Sequence, residues 1–116
     1  MRSYQPVGLT AGAESWVEEN CVKEPDLVCP DCHCVISTKL KVLEVHYEDC
    51  FYGAGPSLKT WETKDGKKVR EKIQCSPFPS FWSSGPVVFH YLEVTNSDGT
   101  VEEKFRWTDE EMDSYL

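Results

Sequence analysis

Two Asp-Gly pairs, Asp65-Gly66 and Asp98-Gly99, each separate two runs rich in β-branched and aromatic residues. Asp-Gly between such runs signals a hairpin, because both central residues of the tight turn take positive φ. A two-residue turn at Asp65-Gly66 sets Leu58 opposite Ile73 and Glu62 opposite Val69 on one face. On the other it sets Trp61 opposite Arg70, within reach of a cation–π contact. At Asp98-Gly99 the same turn pairs Leu92 with Phe105 and Glu93 with Lys104. A four-residue turn would oppose Glu93 to Glu102, like against like, so charge favours the tighter one.

Val35 to Tyr47 is the clearest strand signal. Ile36, Thr38, Leu40 and Val42 alternate with Lys39 and Lys41; the apolar parity then switches to Leu43, Val45 and Tyr47. A one-residue slip turns side chains to the opposite face, so a β-bulge or bend near Val42–Leu43 is expected. Residues 13–20 suit one or two helical turns docking Trp16 and Val17. Thr108 with Glu111 forms a capping box, flanked by a Trp107/Met112 staple, and predicts a short C-terminal helix. The expected architecture is mainly β: one small domain over residues 13–116, a bent antiparallel sheet or open barrel with that helix, stapled by cysteines. Residues 1–12 read as a flexible arm.

The 116 residues fit one domain, small enough to benefit from a metal or disulfide staple. A formal charge of −8 opposes sequence-independent nucleic-acid binding, which needs cations against phosphate. The segment Lys59–Lys72 runs against this balance at net +3. Its lysines suit a solvated hairpin that deters edge pairing, or a contact surface for an acidic protein or a phosphate. An exposed hairpin edge also allows a homodimer. No run approaches a membrane span, and the N-terminal residues contain no apolar signal core.

The chemistry concentrates in LVCPDCHCVI, where Cys29, Cys32 and Cys34 fall within six residues. A C-x-x-C turn offers two thiolates to one tetrahedral ion, usually structural zinc. No second C-x-x-C exists, so further ligands must be single residues: Cys75 first, at a strand end, and Cys50 second. VCPDC resembles the knuckles of zinc-ribbon and treble-clef sites over five residues; those usually carry glycine after the second cysteine, where this chain has His33. The C-x-x-C-x-C spacing is also similar to that of von Willebrand factor C-type extracellular modules, which implies disulfides. Six cysteines allow fifteen disulfide connectivities.

The H-x-E at His46–Glu48 does not match a zinc deaminase, whose H-x-E precedes its P-C-x-x-C. His90, among Phe89, Tyr91 and Leu92, reads as a partly buried strand residue. No serine or glycine-loop motif assigns catalytic residues. The Pro-rich loop with Phe78, Phe81 and Trp82, together with Trp61, Lys68 and Arg70 on the basic hairpin, are the expected partner contacts. The favoured expectation is a non-catalytic, zinc-stabilised protein-interaction domain of the cytoplasm or nucleus. The alternative is a secreted, disulfide-bonded β protein acting as a ligand or effector.

Overall fold

A computed structural model describes residues 5–24, 27–37, 39–50, 53–75 and 87–115, with backbone alone for 5, 6, 36, 37, 49, 50, 53 and 54. Its elements in chain order are β1 (Gln5–Gly8), α1 (Ala11–Asn20), β2 (Leu27–Val28), β3 (Val35–Ser37), β4 (Val42–Cys50), β5 (Gly53–Glu62), β6 (Lys68–Cys75), β7 (Val87–Thr95), β8 (Val101–Lys104) and α2 (Asp109–Asp113). The main sheet runs β1-β7-β6-β5-β4, with β8 also on β7, and does not close; β2 and β3 form a separate small hairpin. The mainly β architecture and short C-terminal helix expected from the sequence are present.

β7 organises the molecule. One edge pairs with β6 from Val88 to Thr95. The other is shared by β1, which lies parallel along Val87–Phe89, and β8, which pairs with Leu92–Thr95. Every residue from Val87 to Leu92 is buried, so both faces of the strand are covered. On one face Leu92 and Val94 pack with Val69, Trp61 and the Ala13, Val17 and Cys21 side of α1. On the other, Val87 and Phe89 pack with Trp107 and Met112. A strand covered on both faces reads as a near-continuous apolar run, and VVFHYL departs from that only at His90.

α1 begins where Thr10 Oγ1 accepts a hydrogen bond from the Ala13 N–H at 3.1 Å, an N-cap that satisfies one of the helix's free donors. Within the segment 1–12 read from sequence as an arm, Gln5–Gly8 is strand and α1 starts at Ala11, while residues 1–4 lie outside the described residues. At the other end Thr108 and Glu111 form the expected capping box, which seats Trp107 and Met112 in one cluster.

Both hairpin registers differ by one residue from the sequence expectation. Trp61 pairs with Val69, and Thr60 with Arg70. Leu92 pairs with Lys104, and Glu93 with Glu103. The cause is the turn, which holds three residues in each case and places glycine in the left-handed region, Gly66 at φ 92° and Gly99 at φ 89°. Side chains lock these loops. Thr63 Oγ1 accepts from the Lys67 N–H at 2.8 Å and donates to Asp65. Asp98 accepts from the Thr100 N–H at 3.0 Å and from its hydroxyl at 2.6 Å. Glu93 facing Glu103 is tolerated because Arg106 donates to Glu103 at 2.7 Å.

The run from Val35 to Tyr47 is two strands. β3 pairs with β2, whereas β4 pairs with β5. The register irregularity expected near Val42–Leu43 lies between Val42 and Glu44.

Candidate functional site

The thiol cluster occupies the turn joining β2 to β3. The Cys29 N–H donates to the Cys34 carbonyl at 3.0 Å, and the His33 N–H donates to the Cys29 carbonyl at 2.9 Å. His33 has φ 60°, the left-handed conformation for which glycine is favoured. The residue after the second cysteine of the C-x-x-C is thus a histidine with a left-handed backbone. Cys29, Cys32 and Cys34 are all free thiols. Cys32 is held below the ordinary thiol range by hydrogen bonds from the Cys34 backbone, then from the Cys34 and Cys29 side chains. Thiolate is the form that binds metal.

The remaining ligands expected from the sequence are not brought here. Cys75 is disulfide-bonded, and a disulfide sulfur is not a thiolate, so the assignment of Cys75 as a zinc ligand is corrected. The side chain of Cys50 lies outside the described residues. Cys21 is fully buried beside Val17 and Trp61, and burial pushes its thiol up to about 11. Among the described residues, as they stand, no group of three or more His, Cys, Asp or Glu side chains is arranged to hold a metal ion. Closing a four-ligand zinc site thus requires the three thiols to adjust and a fourth donor from elsewhere.

Of the expected partner contacts, Phe78, Phe81 and Trp82 lie outside the described residues. Trp61 is 5% exposed and belongs to the core, because the three-residue turn brings it opposite Val69 and away from Arg70. The expected Trp61–Arg70 contact is therefore absent. Arg70 is committed on the other face: its Nε donates to His46 Nε2 at 3.3 Å, and Glu48 lies 3.8 Å from its guanidinium. Lys68 is exposed. On edge strand β4, Val45 (51%) and Tyr47 (73%) stand open to solvent.

Two features lie outside the sequence-based candidates. The first is a buried pair: His90 Nδ1 is hydrogen-bonded to Glu71 Oε2, while His90 Nε2 is buried without a partner. Glu71 Oε1 also accepts, at 3.3 Å, from the Lys59 backbone N–H. Its signal was present in the alternation Val69-Glu71-Ile73, which puts an acid on the inward face of β6. The second is a groove between α1 and the β4–β5 side of the sheet. One arm, about 450 Å³, is lined by Lys23, Lys39, Lys59, Leu40, Val42 and Trp61, with Glu18 on the helix side. An adjoining arm of about 360 Å³ shares Glu18, Leu40, Lys59 and Trp61 and reaches Glu71 and His90.

No helix among the described residues is long and apolar enough to cross a membrane. Comparison with known protein families, with curated proteins and with solved structures found no match.

Proposed function

We propose that this chain is a non-catalytic protein-interaction domain of the cytoplasm or nucleus that carries structural zinc at its CPDCHC turn. The observation that carries the reading is the placement of Cys29, Cys32 and Cys34 as free thiols on one turn, with hydrogen bonds holding Cys32 below the ordinary thiol range. Cys34 joins the two cysteines of the C-x-x-C as the third ligand. The fourth comes from outside the described residues or from the bound partner. The partner is a protein met by the exposed lysine side of the β5–β6 hairpin, where Lys64 and Lys68 face solvent, together with the aromatic loop residues Phe78, Phe81 and Trp82. Net positive charge on that hairpin within an acidic chain suits an acidic contact surface.

Zinc titration of the native protein against a chromophoric chelator tests this. One ion per chain is expected, lost in Cys29→Ser and Cys32→Ser. A chain that holds no zinc while its turn thiols are reduced contradicts it.

A second reading is favoured by one observation, the disulfide at Cys75. Disulfides persist in oxidising compartments, which suits a secreted ligand or effector. On that reading the turn cysteines are also bridged in the mature protein. Alkylation of the unfolded chain without reductant then labels none of them.

A further inference from the structure

We propose that the groove between α1 and the β4–β5 side of the sheet binds a small amphiphile with a carboxylate head and an apolar body. Its first arm is concave and about 450 Å³, within the range of small-molecule sites. Trp61, Leu40 and Val42 supply an apolar wall, and Val42 is itself 36% exposed.

Charge selects the head group. Lys23, Lys39 and Lys59 converge on this arm, and among the described residues none of their ammonium groups is in an ion pair. Five other cations, Lys67, Arg70, Lys72, Lys104 and Arg106, are paired with carboxylates. In a chain of net −8, three lysines without an ion pair around an apolar wall form a local anion site, opposed among the described residues of that arm only by Glu18. A carboxylate among the lysines would satisfy them, while its chain covers Trp61 and Leu40 and extends toward Val17 and Leu9 in the second arm. That arm also carries Glu14 and Glu18 and ends at Glu71 and His90, so the apolar length available is bounded by an acidic, polar wall and the carboxylate head belongs with the lysines of the first arm.

Concavity favours a small molecule over a folded partner, which needs a larger and flatter contact. The test is calorimetric titration of the full chain with dodecanoate below its micelle concentration, with dodecanol as the uncharged control. Expected is saturable binding of one molecule per chain, with quenching of tryptophan fluorescence. The exposed-lysine variant Lys23→Gln/Lys39→Gln/Lys59→Gln should bind about tenfold more weakly, as loss of three partly solvated charge contacts implies. Dodecanol should bind the native chain no better than dodecanoate binds that variant. No saturable binding, equal binding by native chain and variant, or equal binding of dodecanol and dodecanoate each overturns the proposal. The dodecanol comparison uses the native chain and stands even if the variant fails to fold.

Discussion

Among the described residues the free cysteines Cys21 and Cys32 occupy opposite chemical environments, and that difference is measurable residue by residue. Cys21 is sealed in the core with its thiol pushed up to about 11 by burial, whereas Cys32 is exposed and held low by hydrogen bonds. A thiol ionises more at neutral pH the lower its pKa, and thiolate is the reactive form. Iodoacetamide on the zinc-free protein should therefore label Cys32 in the folded state and Cys21 only on unfolding; a Cys21 that reacts as fast as Cys32 contradicts the packing. His33 offers a second residue-scale test. Its left-handed backbone costs a non-glycine residue roughly 1 kcal/mol, so His33→Gly should stabilise the turn and keep any zinc. Loss of zinc in that variant would make His33 a ligand. Asp65 and Asp98 both titrate below the ordinary carboxylate range, chiefly through hydrogen bonds from Thr63 and Thr100. A folded pKa below the unfolded value of about 3.9 means a stabilising contribution present above that pH and lost as pH falls through the folded pKa. The melting-temperature gap between the native chain and Asp98→Ala should accordingly narrow below about pH 4.

At the scale of elements, turns and caps decide where each side chain faces. Gly99→Ala forces a Cβ onto a φ of 89° and should cost about 1 kcal/mol. Thr108→Ala removes the hydroxyl that accepts from the Glu111 N–H and should cost about 1 kcal/mol, read by chemical denaturation. Both hairpins, the capping box and the parity switch near Val42 were legible in the sequence, because each is a local signal carried by a few adjacent residues. Register was not. Asp-Gly fits both a two-residue and a three-residue turn, and the choice depends on Thr63 and Thr100 bonding across the loop. That single residue of slip moves Trp61 from a contact surface into the core. Nor was the parallel pairing of β1 with β7 legible, since it joins residues some eighty positions apart and leaves no local pattern. The candidate site divides the same way. Its turn thiols were visible as a motif, whereas the groove lysines come from three separate segments and converge only in the fold.

For the whole molecule, the central β7 strand is the point of greatest sensitivity. Leu92 is fully buried between β6, β8 and α1. Leu92→Ala should cost about 2–5 kcal/mol, against a total of only about 5–15 kcal/mol for a domain. The thiol turn stands apart from this core: β2 and β3 form their own two-stranded sheet, and Leu27 and Val35 are exposed. A two-stranded hairpin is marginal by itself, so a metal bound there would supply order the packing does not. The most direct test is one sample of native protein assayed for bound zinc and, after unfolding without reductant, for alkylated cysteines. One zinc per chain and labels at Cys21, Cys29, Cys32 and Cys34 are expected. No zinc, with Cys29, Cys32 and Cys34 resistant to alkylation until reduced, would contradict it.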